Sequence, residues 1–194
     1  NDPAKYRAVI SRVFAILHEL TGVVEYYSID EAFLDLTGWY RDAAEVAVVM
    51  TRVQQRITAE VGDWLTCSVG IAPTRLMAKL ASDLRKPNGL TVLNAELLRE
   101  QASRMALQSI CGIGPRMDRR FKRQGMRTVE DLLRASPLLL LRLFGNQGFL
   151  LWSELCGYEG LRVIPQQETS PHSIGHSYCV PERINREGLV VPTL

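Results

Sequence analysis

Apolar residues Tyr6, Val9, Ile10, Val13, Phe14, Leu17 and Leu20 recur at helical spacing, which predicts an amphipathic helix at the start of the chain. Asp2 suits its N-cap, Pro3 its first turn, and Gly22 its end. Val23 to Thr37 is rich in β-branched and aromatic residues, with Asp30-Glu31 at its middle. Asp42 then caps a second helix running to Val61, and Leu65 to Ala72 reads as a strand. A third helix spans Pro73 to Lys86, with Leu76, Leu80 and Leu84 on one face. Pro87-Asn88-Gly89 stops it before a short strand, Leu90 to Leu93. Beyond Asn94 the pattern is helical throughout, with segments near 95–103, 115–124, 128–135, 137–144 and 148–156. Alternating helices and strands followed by helices alone imply an α+β fold, with helices packed on a sheet before an all-helical part. The boundary between the two falls near residues 93–94. A polar stretch, Pro165 to Pro171, reads as a linker, and residues from Ser173 onward read as the first strand of another unit.

Composition alters this picture little. Of the 194 residues 46% are hydrophobic and 23% charged, values ordinary for a folded domain. No apolar run approaches the ~20 residues that cross a bilayer. No basic-then-apolar leader opens the chain, so an intracellular, cytoplasmic protein is expected, with no membrane partner. Cys67, Cys111, Cys156 and Cys179 form no CxxC pair, and three histidines offer little for a metal site.

Charge adds more through its distribution than through its net value of +2. Residues 1–70 carry six basic and ten acidic side chains, whereas residues 71–134 carry thirteen basic and six acidic, a net of +7. An acidic region able to hold cations thus precedes a basic one able to hold phosphates. Solvated helix faces are the plainer account of the same numbers.

Three motifs sharpen the choice. In Tyr27-Ser28-Ile29-Asp30-Glu31-Ala32-Phe33-Leu34-Asp35, two adjacent carboxylates repel unless a cation or donors hold them. Mg²⁺ accepts a few carboxylates together with substrate phosphate oxygens. A solvated turn carrying two acids is the other reading of a bare Asp-Glu pair. The second motif runs from Ser68-Val69-Gly70-Ile71-Ala72-Pro73 to Ala78-Lys79-Leu80-Ala81-Ser82-Asp83-Leu84-Arg85-Lys86-Pro87-Asn88-Gly89. It takes a strand into a helix that ends in a basic pair. Lys86 there complements the helix dipole, and Lys79, two turns earlier, reads as structural or DNA-facing. The third, Ile110-Cys111-Gly112-Ile113-Gly114-Pro115 followed by Arg116, Arg119, Arg120, Lys122 and Arg123, resembles a helix–hairpin–helix. Its glycines let backbone N–H groups approach a phosphate at a helix N-terminus, without reading sequence. A helix-packing turn beside a solvated basic face is the alternative.

The first two motifs closely resemble the palm motifs of Y-family, translesion-type DNA polymerases, and the second is most like the DNA polymerase IV branch. The resemblance runs from about Lys5 to about Gly188. It implies residues 1–93 as the later part of a palm, 94–160 as a thumb, 161–172 as a linker and 173–194 as the opening of a little-finger domain, with Ser173 to Ser177 as its first strand. It implies template-directed, error-prone nucleotidyl transfer. Asp30 and Glu31 would hold two Mg²⁺, Lys86 the triphosphate, and Gly112, Ile113, Gly114 and Arg116 the DNA backbone. The implied partners are primer–template DNA, deoxynucleoside triphosphates and a sliding clamp, the last through segments beyond this sequence. The family's first catalytic aspartate, its steric gate and its fingers have no counterpart in these residues, so the 194 residues alone are not expected to extend a primer. Two rival readings are a non-catalytic polymerase-derived subunit of a mutagenesis complex and a helix–hairpin–helix repair module.

Overall fold

The computed structural model describes residues 3–158 and 161–165. The expected cap Asp2, most of the linker and the strand from Ser173 lie outside the described residues.

Helix α1 (Pro3–His18) buries Phe14, Ile16 and Leu17, while Tyr6, expected on the same stripe, is exposed. The helix stops at His18, one turn short of Gly22, and Leu20 N–H closes onto Leu17 O at 3.1 Å. The β-rich stretch forms a hairpin of β1 (Val24–Tyr26) and β2 (Ala32–Leu34), antiparallel, with Glu25 opposite Phe33. Helix α2 (Ala43–Arg56) begins as expected at Asp42, whose carboxylate accepts Glu45 N–H at 2.9 Å. Glu45 in turn accepts Arg41 N–H at 2.9 Å. The helical path does reach Val61, but its last turn widens into a π-helix, Ile57–Val61.

Strands β3 (Val69–Ile71) and β4 (Leu90–Val92) are parallel, which requires the crossover made by α3 (Arg75–Leu84). Thr74 caps α3. The helix is shorter than Pro73 to Lys86, and Leu84, expected on its buried face, is exposed. Gly70 lets α3 lie directly on β3: a Cβ there would stand 2.0 Å from Ala78 O and 2.5 Å from Ser82 N. The expectation of one sheet needs correction. The four strands form two separate two-stranded sheets, one closed by the local hairpin and one by the crossover.

The helical part comprises α4 (Ala95–Ala102), α5 (Pro115–Arg123), α6 (Val129–Arg134) and α7 (Pro137–Leu155). The two segments expected at 137–144 and 148–156 are present within α7 as two helical stretches that meet at Gly145, whose backbone is not helical (φ 65°, ψ −162°). A Schellman motif ends α5: Met126 N–H donates to Phe121 O and Gly125 N–H to Lys122 O, both at 3.1 Å, with Gly125 at φ 82°. Thr128 and Asp131 form a capping box on α6.

Two apolar clusters hold the chain. One gathers α1, α2, β1 and β3 around Phe14, Val24, Val53 and Ile57. The other gathers α4 to α7 around Phe121, Leu132, Leu140 and Leu155, and takes in Leu76, Met77 and Leu80 from α3. Helix α3 therefore carries a strand on one side and the helical part on the other. No helix among the described residues is long and apolar enough to cross a membrane.

Candidate functional site

The hairpin loop places the two acids. Glu31 O accepts N–H groups from Tyr27 (3.0 Å) and Ser28 (3.1 Å), which folds the loop back and turns Ile29 and Asp30 into solvent. Asp30 is exposed, and its Oδ1 accepts the Ser28 hydroxyl at 2.7 Å. Half-buried Glu31 instead meets α3, its Oε1 lying 2.9 Å from Lys79 Nζ. Asp35 stands apart, accepting Thr37 N–H in the turn after β2. The donor set suits a hard divalent cation: adjacent carboxylates, with a hydroxyl beside them and no sulfur or imidazole in the loop. No group of three or more His, Cys, Asp or Glu forms a metal cluster among the described residues. The fit rests on the oxygen donors of Asp30 and Glu31 alone, to which a hard divalent cation adds water and phosphate oxygens.

Helix α3 and the turn that follows it bring further charges to the same place. Lys79 Nζ also lies 2.8 Å from Asp83 Oδ2, and Asp83 Oδ1 lies 2.6 Å from Lys86 Nζ. Burial, the largest single influence on Lys79 and Asp83, opposes their charged forms. The ion pairs outweigh it, holding Lys79 above the ordinary ammonium value and Asp83 below the ordinary carboxylate value. Lys86, at the open end, keeps 55% of its side chain exposed. Lys79, read from the sequence as structural or DNA-facing, is held by ion pairs to Glu31 and Asp83. Its local signal was the i, i+4 spacing to Asp83 on α3.

A second polar group ties the hairpin to the helical part. Arg75 pairs with Glu25 and lies over the Phe33 ring at 4.7 Å, and Glu25 Oε2 accepts Ile164 N–H at 2.9 Å. Tyr27 Oη lies 3.4 Å from Cys111 Sγ, so the acidic loop touches the glycine turn across 84 residues of sequence. Nearby, buried Glu154 accepts Leu161 N–H at 3.1 Å, and burial pushes its carboxyl above the ordinary carboxylate range. An acid raised in the folded state lends stability below its unfolded pKa and loses it as pH rises through the folded value. Glu154→Gln, which keeps an oxygen acceptor, should therefore raise Tm at about pH 8 but not at about pH 4, near the unfolded value. The gain is read at ~2–4 °C per kcal/mol for a chain of this size. Equal effects at both pH values would contradict a raised carboxyl.

The basic turn divides its residues. Gly112 adopts φ 91°, which a side chain would strain, whereas Gly114 caps α5 in an ordinary extended conformation. A Cβ on Gly114 would meet nothing within 4 Å, so the backbone there lies open. Ile113, expected among the phosphate contacts, is 3% exposed, and its N–H donates to Ile110 O at 3.0 Å. It anchors the turn. On α5, Arg120 donates to Leu143 O at 2.8 Å and Lys122 pairs with Asp118 at 2.7 Å. Arg116, Arg119 and Arg123 are exposed, make no ion pair among the described residues, and recur at i, i+3 and i+7 on one stripe.

Comparison with known proteins supplies an independent line. The impB/mucB/samB family profile matches residues 1–83. DNA polymerase IV 1 of Halalkalibacterium halodurans is 34% identical over 190 residues, 98% of this chain and 45% of its own length. DNA polymerase IV of Pseudomonas paraeruginosa is 36% identical over 148 residues, 76% of this chain and 42% of its own length. The crystal structure of DinB from Sulfolobus solfataricus matches with a TM-score of 0.69 at 26% identity, over 84% of this chain and 48% of that one. An insertion ternary complex of Dbh DNA polymerase matches with a TM-score of 0.70 at 26% identity, over 84% and 47%. The chain thus spans a little under half the length of these relatives.

Proposed function

This chain belongs to the Y-family, DinB-like polymerases described by the impB/mucB/samB profile, and from that premise we propose that it forms the phosphoryl-transfer and DNA-gripping part of an error-prone, translesion DNA polymerase. Residues 1–93 belong to the palm and 94–160 to a helix–hairpin–helix thumb, with a linker at 161–172 and the start of a little finger at 173–194. The observation that carries this reading is the chain of ion pairs from the acidic loop across α3 to the turn after it, from Glu31 through Lys79 and Asp83 to Lys86. Carboxylates for cations and a lysine for phosphates are what transfer to a nucleoside triphosphate requires.

Asp30 and Glu31 hold two Mg²⁺ in this reading. When bound, such a pair activates an attacking hydroxyl and stabilises the leaving oxygen. Lys86, exposed on a flexible four-carbon stem, holds the triphosphate as a point charge. Gly114 offers an open backbone to a DNA phosphate, Gly112 supplies the turn, and Arg116 lies beside them at the helix N-terminus. We add Arg119 and Arg123, which continue the Arg116 stripe. The ligands are primer–template DNA and deoxynucleoside triphosphates. The 194 residues alone bind DNA without extending a primer, since two carboxylates leave both cations short of fixed ligands, and Mg²⁺ releases its waters reluctantly.

Fluorescence anisotropy with labelled primer–template across a salt series tests the reading. Log affinity should fall linearly with log salt, and replacing Arg116, Arg119 and Arg123 by Ala should flatten the slope by ~0.9 for each phosphate that is no longer neutralised. Gly114→Val should meet no clash and cost the fold no more than about 1 kcal/mol, the loss of a favoured residue at the α5 N-cap, yet weaken binding about equally on unrelated sequences. Salt-independent binding, or a loss confined to one sequence, defeats the thumb assignment.

A further inference from the structure

Lys79 touches both halves of the candidate site. From α3 its ammonium reaches Glu31 on the hairpin loop, 48 positions away in sequence, and Asp83 one turn along its own helix. Asp83 gives its other oxygen to Lys86. The four groups alternate in sign from the acidic loop to the exposed lysine. Only 16% of the Lys79 side chain is exposed, although lysine usually keeps its head in water. Its backbone is fixed as well, because neighbouring Met77 and Leu80 are buried in the apolar cluster shared with the helical part. A surface pair at i, i+4 would account for Lys79 with Asp83 alone. It does not account for the sheltered contact with Glu31, nor for Asp83 dividing its two oxygens between two lysines.

We propose that Lys79 and Asp83 are positioning residues that set Glu31 and Lys86 as one unit, with Lys79 standing at Glu31 as an internal cation that an incoming divalent cation must displace. The inference rests on reading Asp30-Glu31 as the cation site and Lys86 as the phosphate contact. Before any ligand arrives, Lys79 relieves the repulsion between adjacent carboxylates that would otherwise splay the loop. Asp83 does the same for Lys86, keeping it near the site and away from unrelated phosphates. The arrangement needs no second conformation of the backbone. Exchange of one cation for another at Glu31, and of Asp83 for phosphate at Lys86, is enough to move from the free to the loaded state.

Mn²⁺ binding to the 194-residue chain, followed through the electron spin resonance of the free ion, tests the displacement. Lys79→Met should tighten Mn²⁺ binding on the order of tenfold, as an opposite charge beside a carboxylate moves its proton affinity by one unit or more. Lys79→Arg should stay near wild type, and Lys79→Met should add nothing on top of Glu31→Gln. Unchanged Mn²⁺ affinity in Lys79→Met, against a wild type that binds, overturns the proposal. Thermal melting in chelator-treated buffer gives a separate readout. The Tm changes for Lys79→Met and Glu31→Gln should be non-additive, as should those for Lys79→Met and Asp83→Asn. Additive changes overturn the ion chain. Non-additive melting with no Mn²⁺ bound by any variant supports the ion chain and overturns the displacement, while the cation reading of Asp30-Glu31 is judged separately by primer extension with Asp30→Ala in a full-length chimera, which separates the two failures.

Discussion

Asp30→Ala is expected to cost nucleotide incorporation ~10²–10³-fold, the scale on which a group aimed at developing charge in a transition state is lost. The cleanest background is a chimera in which the 190 matched residues replace their counterpart in the Halalkalibacterium halodurans DNA polymerase IV 1. Primer extension by the unmutated chimera is the reference. Asp30 is exposed, and its side-chain partner among the described residues is the Ser28 hydroxyl, so its removal takes little from the fold. It also leaves Glu31 without a like-charged neighbour. Melting temperature should therefore hold steady or rise slightly while extension collapses. That opposition between activity and stability distinguishes a ligand from a structural acid. Near-normal extension by the mutant chimera would defeat the catalytic assignment, and a parallel fall in Tm would point to a folding role.

Gly70→Val should have the largest effect on the fold, about 3 kcal/mol or more, the upper range for forced overpacking. The reason is steric and not conformational, since Gly70 is not among the glycines at positive φ. Its hydrogen faces α3, and a Cβ would overlap a carbonyl oxygen and an amide nitrogen of that helix, Ala78 O and Ser82 N. Backbone atoms cannot turn aside as a flexible side chain does. Helix α3 would have to lift from β3, and it carries Lys79 and Asp83 while also contributing Leu76, Met77 and Leu80 to the helical core. Urea unfolding of the 194-residue chain, with Gly114→Val as the control at an open position, measures the difference. Equal midpoints for the two variants would show that α3 does not rest on β3 as closely as described.

Local chemistry was readable from the sequence. The cap at Asp42 and the change to an all-helical pattern after Asn94 depend on residues close together in the chain. Such interactions keep their meaning wherever the element lies. The adjacency of Asp30 and Glu31 is likewise a fact of the chain, and so is the basic character of α5. The fate of each side chain depended on tertiary packing. Nothing near Lys79 in sequence announces Glu31. The pair exists because Gly70 lets α3 approach β3 and so bring that helix face to the hairpin. Ile113 carries no mark that separates it from its glycine neighbours as a donor, yet the turn buries it and uses its N–H. Five basic residues on α5 look alike in sequence. Packing against α7 draws Arg120 to Leu143 O, and buried Asp118 draws Lys122, which leaves Arg116, Arg119 and Arg123 facing outward. Periodicity fixes which residues share an element, but only the arrangement of elements decides which charges are spent inside the fold and which remain for a ligand.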